Sequence, residues 1–162
     1  MQITNTPHFT RRASATILAL LPVFFAIGFA ARHTIRMNRG ARLAYASSRG
    51  NVTTVRALLD NGYDANADGY KGTPPVYWAA LRGHDDVLRL LLEHGANVKG
   101  RDGAQALRLA AQQGHSGPVQ LLLRHGANPN ARNAEGNTAL KLAEREKHAN
   151  VVSLLKRAGA VR

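Results

Sequence analysis

Two markers recur along the chain at the same unequal spacing, and this regularity constrains the fold more than any other feature. A glycine stands before a polar residue at Gly50, Gly83 and Gly114, with Lys147 in the fourth place, so the steps are 33, 31 and 33 residues. A second glycine, which follows a leucine cluster each time, repeats the same steps at Gly62, Gly95, Gly126 and Gly159. The agreement between the markers predicts four copies of one structural unit.

Each copy is predicted to contain two short helices. In the second copy, Tyr77–Arg82 ends the first helix, and Val87–Leu92 carries apolar residues at helical spacing in the second. Gly83 and Gly95 follow these helices, and glycine suits a helix end because it enters the left-handed region without steric cost. Helices this short bury their apolar faces only by stacking on neighbouring copies. We therefore expect an all-α solenoid of about four helix-turn-helix units.

Composition supports small packed helices and limits the chemistry. Hydrophobic residues make up 44% of the 162 positions, but aromatic residues only 6%, so the core is built from Ala, Leu and Val. The chain has no cysteine, which excludes disulfides, thiolate metal ligands and cysteine nucleophiles. We expect Trp78, beside the paired alanines of the second copy, to belong to the core.

The copies resemble ankyrin repeats. Thr138–Ala143, preceded by Gly136, is close to the family motif T-P-L-H-x-A, and the pair Gly83-His84 and the ending Gly95–Asn97 match well. The resemblance covers about residues 38–162. It implies an α-solenoid domain with units at about 38–67, 68–100, 101–131 and 132–162.

This chain departs from the family pattern in two ways. The motif histidine is replaced by Tyr77, Arg108 and Lys141. The third unit is two residues short, and the gap falls around Arg101 and Asp102. We expect the polar stretch 97–103 to form a turn there, tighter than the turns of the other units.

The first forty residues carry a separate signal. Residues 13–31 contain no charged residue over 19 positions, and about 20 apolar residues can span a bilayer as one helix. We expect an N-terminal tail at 1–12, a transmembrane helix at 13–31 and a basic juxtamembrane linker at 32–37. Arg32, Arg36, Arg39 and Arg42 follow the run, and positive charge tends to stay cytoplasmic, which predicts a single-pass protein with a cytoplasmic repeat domain.

A cleaved signal peptide is the alternative interpretation of residues 13–31. Arg11 and Arg12 would form its basic n-region, and Gly28–Ala30 offers small residues for cleavage. In that case the repeat domain would be periplasmic or secreted.

The chain is strongly basic. Its formal charge is +12, of which five arginines in residues 1–40 supply +5, and the 17 basic and 10 acidic residues that follow supply +7. Such a charge favours an acidic protein, anionic lipid or nucleic acid as a partner, and we expect an acidic protein surface. The alternative is that the charge serves only solubility. Nucleic acid is the less favoured alternative because the basic residues are dispersed and few aromatic side chains are placed for stacking on bases.

No catalytic, cofactor or metal site is predicted. His84, His115 and His148 occupy one repeat position, and His94 and His125 another, which indicates structural roles in capping or packing. Equivalent positions on stacked helices lie about 8–10 Å apart, too far to share a zinc ion. The chain also lacks a phosphate-binding loop and a nucleophile elbow. We therefore expect a protein-binding scaffold and not an enzyme.

The resemblance to ankyrin repeats implies where a partner protein would bind, namely on the turn tips and the exposed face of the first helices. The candidates at the turn tips are Tyr70, Lys71, Thr73, Arg101, Asp102, Ala104, Ala134, Glu135 and Asn137. The candidates on and beside the helices are Ser48, Arg49, Leu81, Arg82, Gln112, Gln113, Arg145, Glu146, Asn61, His94 and His125. Tyr70, Leu81, Arg82 and Arg101 stand out, because tyrosine and arginine dominate interface energetics and an exposed leucine after two alanines needs a reason. The alternative is that these residues are merely solvent-facing.

Overall fold

The computed structural model describes residues 39–69 and 72–161, and within these ranges the chain forms eight α-helices and no strand. The helices are α1 Arg39–Ser48, α2 Val52–Asp60, α3 Pro75–Arg82, α4 Asp85–Glu93, α5 Arg101–Gln113, α6 Ser116–Arg124, α7 Ala139–Arg145 and α8 Ala149–Arg157. The predicted all-α architecture of four helix pairs is confirmed for this part of the chain. The predicted membrane helix at 13–31 lies outside it.

The helix pairs stack in chain order. Each first helix packs on the next one, in the order α1, α3, α5 and α7, and each second helix does the same, in the order α2, α4, α6 and α8. Residues at equivalent repeat positions therefore form rows that run from unit to unit. These rows decide which side chains can act together.

Small residues and leucines fill the interior. The paired alanines Ala79-Ala80 and Ala110-Ala111 are fully buried, as the sequence predicts, and they let neighbouring first helices approach closely. Val87, Leu91 and Leu122 of the second helices are also fully buried. The core is thus shared between units, and no helix pair buries its apolar face alone.

A glycine–histidine contact joins each unit to the next. Gly83 ends α3 with φ 72, in the left-handed region. A Cβ atom on Gly83 would also lie only 2.8 Å from Nδ1 of His115 in the following unit. Gly50 and Gly114 meet the rings of His84 and His148 in the same way. Glycine is therefore required twice at this position, by the backbone angle and by the neighbouring ring.

Lys147 shows what happens where that ring is missing. It occupies the same repeat position in the last unit and adopts a left-handed φ of 63. No histidine of a following unit lies over it among the described residues. A side chain is tolerated there because only the backbone angle opposes it, at a cost of about 1–2 kcal/mol.

Asparagines form a second link between units. Asn66 donates from Nδ2 to the carbonyl oxygen of Gly95 (3.0 Å) and accepts from the backbone N–H of Asn97 (2.6 Å). Asn130 bridges to Gly159 and Val161 in the same manner, at 3.2 and 2.8 Å. In the second unit, Lys99 occupies the position that Asn66 and Asn130 occupy in the first and third units. Lysine cannot accept a hydrogen bond, so this junction lacks the two-bond bridge.

The third unit differs from the prediction. Residues 101–103, expected to lie in a tight turn, belong instead to α5, which begins at Arg101 and runs for 13 residues. In the fourth unit the first helix begins at Ala139 after an N-cap, Thr138, whose side chain accepts from the N–H of Lys141. Gln105 replaces that cap in the third unit, and two residues of the turn are missing. The helix therefore starts earlier in the unit, directly after its N-cap residue Gly100.

Gly103 permits this early start. A Cβ atom at Gly103 would overlap the backbone of Val98. The equivalent glycines of the neighbouring units, Gly72 and Gly136, adopt left-handed angles of 71 and 76 in turns. The same repeat position thus serves two different backbone conformations, and only a residue without a side chain suits both.

The end of the last unit carries charge where inner units carry apolar residues. Glu144 replaces the second alanine, and its carboxylate lies 3.5 Å from Nζ of Lys156. A terminal repeat needs such a polar outer face. None of the described helices is long and apolar enough to cross a bilayer.

The glycine–histidine contact predicts a measurable coupling between Gly83 and His115. The Gly83→Ala substitution should destabilise the chain by more than about 2 kcal/mol, because it adds both the left-handed penalty and the ring contact. In a His115→Ala background the same substitution should cost about 1 kcal/mol less. Urea unfolding followed by circular dichroism measures both values.

Lys147→Gly is the matched control for this cycle. It removes the left-handed penalty where no ring is present, so stability should stay equal or rise by up to about 1 kcal/mol. Equal costs of Gly83→Ala in the two backgrounds would show that the ring contact contributes nothing.

Serine substitutions test the early start of α5. Gly103→Ser should destabilise the chain by at least about 2 kcal/mol, because its Cβ meets the Val98 backbone, and backbone cannot move aside cheaply. Gly100→Ser should be neutral or slightly stabilising, since the position is open and serine is a good N-cap. Thermal unfolding of the two variants separates them. Equal midpoints would mean that the turn, and not the helix, forms at 101–103.

Candidate functional site

Exposed and partly exposed residues of the first helices form a row across the units, which we call the first-helix face. They are the two residues that follow the paired alanines or their equivalents. Leu81 and Gln112 are partly exposed, and Arg82, Gln113 and Arg145 are exposed. Because the first helices pack side by side, these predicted candidates lie on one surface.

Histidines of the following units form hydrogen bonds with the backbone of this face. Nε2 of His84, His115 and His148 lies 3.2, 3.2 and 3.0 Å from the carbonyl oxygens of Ser48, Leu81 and Gln112, respectively. A carbonyl oxygen only accepts, so Nε2 carries the proton in each case. Their predicted structural role is confirmed, but not through capping. They occupy N-cap positions, yet their side chains make no cap hydrogen bond and instead reach the preceding unit.

Two aromatic residues that the sequence analysis did not assign to this face lie on the first helices. Tyr45 of α1 is 60% exposed, the largest fraction among the large hydrophobic side chains that the structure describes. Trp78 occupies the equivalent position of α3. It is partly exposed and packs edge-on against Tyr77, with ring centroids 5.2 Å apart. The prediction that Trp78 belongs to the core is therefore wrong.

Both aromatic residues lie one helical turn before an arginine of the same surface. Tyr45 precedes Arg49 by four residues, and Trp78 precedes Arg82 by four, so each pair shares a helix side. The signal that could have found them is the repeat alignment itself. It places Tyr45, Trp78 and Leu109 in one row, adjacent to the row of predicted candidates.

The turn before α7, residues 131–137, contains two predicted candidates that are exposed, Ala134 and Glu135, and one that is buried. Glu135 is exposed, and its Oε2 accepts from the side-chain amides of Asn137 (3.1 Å) and Asn133 (3.5 Å). Asn137, expected at the tip, is buried. In the second unit Thr73 is partly exposed, whereas Tyr70 and Lys71 lie outside the described residues.

In the third unit the predicted turn-tip residues stand on a helix. Arg101 and Asp102 are exposed in the first turn of α5, so they are available but do not form a tip. Ala104, expected at the tip, is buried because the helix continues through it. The cause is the same two-residue deletion that moves the helix start.

An arginine-lined cleft separates the start of α5 from the turn before α7. It has a volume of about 680 Å³, and Arg101, Arg108 and Arg132 contribute to its lining. Arg108 donates from a terminal nitrogen to the carbonyl oxygen of Ala131 at 3.4 Å. Burial, and secondarily the charge of Arg101, lower the pKa of Arg108. In the sequence, Arg108 stands out only as a departure from the family motif.

His94 and His125 lie elsewhere, as C-cap residues of α4 and α6. Nδ1 of His94 contacts the carbonyl oxygen of Leu90 at 2.9 Å, and Nε2 lies 3.6 Å from the Asp60 carboxylate. These partners all belong to second helices, so His94 is not connected to the first-helix face. Among the described residues, no group of three or more His, Asp or Glu side chains is placed to hold a metal ion.

Comparison with known proteins agrees with the repeated helix pairs. The family profile described as "Ankyrin repeats (3 copies)" matches residues 27–102, 43–133 and 98–161. The chain belongs to the ankyrin-repeat family. Ankyrin repeats are generally protein-binding elements and not catalytic ones, and the matched profile indicates no enzymatic family.

Several curated proteins share part of this sequence. A stretch of 56 residues is 46% identical to cyclin-dependent kinase 4 inhibitor B of Rattus norvegicus, covering 35% of this chain and 42% of that protein. A stretch of 59 residues is 42% identical to cortactin-binding protein 2 of Ornithorhynchus anatinus, and one of 49 residues is 43% identical to ankyrin repeat protein nuc-2 of Neurospora crassa. The last two matches cover 36% and 30% of this chain but only 4% and 5% of those proteins.

Proposed function

We propose that this ankyrin-repeat chain is a non-catalytic scaffold that binds a partner protein through the first-helix face and the turns beside it. The observation that carries the proposal is a row of exposed side chains on a backbone that the inter-unit histidine hydrogen bonds hold in place. A surface whose backbone is already held in place loses little conformational freedom on binding.

The side chains on this face suit a protein partner. Tyrosine, tryptophan and arginine contribute most of the binding energy in protein interfaces, and Tyr45, Trp78 and Arg82 are all at least partly exposed there. The +7 charge of residues 41–162 favours an acidic surface on the partner. The names of two relatives, an inhibitor of cyclin-dependent kinase 4 and a cortactin-binding protein, also point to protein partners.

We further propose that residues 13–31 tether the repeats to a membrane, with the repeat domain on the cytoplasmic side. The support is the run of 19 uncharged residues and the arginines that follow it. The alternative is a cleaved signal peptide and a periplasmic or secreted repeat domain. Both versions use the same binding face and differ in which proteins can reach it.

Site-specific photo-crosslinking in cells tests the binding face. A benzoylphenylalanine at Arg82, or at Gln113 in the next unit, should form an adduct with the same partner protein, identified by mass spectrometry. The matched control is Arg89, also an exposed arginine but on the second helix α4, which should give no such adduct. Adducts from position 89 as strong as those from position 82 would assign the partner to the other surface.

A reporter at the C-terminus tests the location. An enzyme reporter that is active on only one side of the membrane should give its cytoplasmic signal, and the purified chain should retain its full mass. An external signal, together with the loss of about thirty residues, would overturn the tether and support a cleaved signal peptide.

A further inference from the structure

The positive charge of the first-helix face is confined to its first two units. At the end of each first helix the same repeat position holds Arg49, Arg82, Gln113 and Glu146 in turn, and all four are exposed. In the fourth unit Nε of Arg145 donates to the Glu146 carboxylate at 3.0 Å, so the two charges compensate each other. Because the first helices pack side by side, the face has a basic half followed by a neutral half.

The two arginines of the basic half carry no ion pair within the chain. None of the salt bridges found among residues 39–69 and 72–161 involves Arg49 or Arg82. Asp85 is the acid closest to Arg82 in the sequence, but it begins α4, and its carboxylate lies against Gly117 of the following unit. Both guanidinium groups are therefore available to carboxylates of a partner.

Exposed aromatic surface coincides with this basic half. Tyr45 is exposed and Trp78 partly exposed, and each lies one helical turn before the arginine of its own unit. The repeat position that they share holds Leu109 in the third unit, which is partly exposed, and Leu142 in the fourth, which is buried. Aromatic rings and arginines together are the side chains that contribute most to interface energies. The first two units therefore hold both components of a binding hot spot.

We propose that the first two units bind an acidic segment of the partner protein that carries an apolar side chain between two carboxylates. Each carboxylate accepts hydrogen bonds from one guanidinium, Arg49 or Arg82, and the apolar side chain packs against Tyr45 and Trp78. Neighbouring helices pack about 8–10 Å apart, so the two carboxylates are separated by a similar distance.

The uneven charge also sets the register of the partner. Past the second unit, an acidic segment meets the neutral Gln113 and then the Glu146 carboxylate, where further acidic residues gain nothing. Charge complementarity of this kind fixes how a partner lies on a surface more than it adds affinity. This inference rests on the proposed protein-binding function, and it specifies the chemistry and the position of the segment that is bound.

Fluorescence anisotropy with short labelled peptides tests this chemistry on the full-length chain in a zwitterionic detergent. The first peptide has two glutamates three positions apart, which spans about 10 Å in an extended chain, and a leucine between them. The second replaces both glutamates by glutamine, and the third replaces the leucine by serine. The first should bind at least about fivefold more tightly than the second and about threefold more tightly than the third. Equal or undetectable binding of all three peptides would overturn the proposal.

Substitutions copied from the third unit place the peptide on the face, because the repeat already accommodates these residues. Arg82→Gln copies Gln113 and should raise the Kd of the first peptide at least about threefold, whereas Arg89→Gln, at an exposed arginine of α4, should change it by less than about 1.5-fold. Trp78→Leu copies Leu109 and should weaken the leucine peptide at least about twofold while leaving the serine peptide unchanged. Equal losses in the Arg82 and Arg89 variants would show general attraction and contradict a site on the first helices.

A gain of binding tests the register. Gln113→Arg extends the basic half into the third unit, so a peptide lengthened by a third glutamate should bind about threefold more tightly. Gln120→Arg is the matched control, because it adds the same charge at an exposed glutamine of the second helix α6 and should leave the Kd unchanged. Equal gains from the two variants would mean that the partner is not registered on the first helices.

These outcomes are distinguishable from a failure of the proposed function. If crosslinks form from positions 82 and 113 but the glutamate and glutamine peptides bind equally, the binding face is retained and the acidic segment is wrong. If peptide binding depends on Arg82 but neither position gives an adduct in cells, the chemistry of the basic half is retained and the proposed function of the face is wrong.

Discussion

The repeat architecture depends on the contact between a histidine of one unit and the end of the first helix in the unit before it. The imidazole donates a hydrogen bond to a carbonyl oxygen near that helix end and lies over a glycine that has no Cβ to obstruct it. Three such contacts recur along the described chain. Glycine and histidine are neighbours in the sequence, yet each histidine contacts the glycine of the unit before its own. The carbonyl oxygens they engage belong to Ser48, Leu81 and Gln112, so the same contact fixes the backbone of the first-helix face.

The third unit shows what a small deletion does to a regular solenoid. The glycine–histidine contacts on both of its sides are intact, so the stacking of units continues through it. The asparagine bridge from the second turn is absent because Lys99 replaces it, and the turn itself is replaced by the early start of α5. The arginine-lined cleft lies at this point.

Much of the fold could be predicted from the sequence because the repeat markers act locally. Gly83 ends α3 by its own backbone angle, and Asp85–Glu93 forms a helix from its own apolar spacing, so both were predictable without knowledge of neighbours. The start of α5 was not, because it depends on how Gly103 passes the Val98 backbone, a contact between residues outside any helical pattern. The exposure of Trp78 likewise depends on what the adjacent units leave uncovered.

The location of the candidate site was predictable from the sequence, but not all of the residues that belong to it were. The family resemblance placed Arg82, Gln113 and Arg145 on one face, and the structure describes them there. Tyr45 was missed because helical periodicity does not tell which of several non-core positions stays open to solvent. Arg108 was missed as a site residue because its place beside Arg101 and Arg132 in one cleft is a tertiary feature that no local sequence pattern encodes.

Residue-resolved hydrogen exchange of the full-length chain tests most directly the claim that the interruption in the third unit is helical. The N–H of Ala104 donates to the carbonyl oxygen of Gly100 at 3.1 Å, which is an α-helical bond. The account predicts that the amides of residues 104–106 exchange as slowly as those in the rest of α5 and far more slowly than those of Ala134 and Glu135 in the turn before α7. Fast exchange at 104–106, matching that turn, would mean that a turn is retained in the third unit and that the cleft does not exist as described.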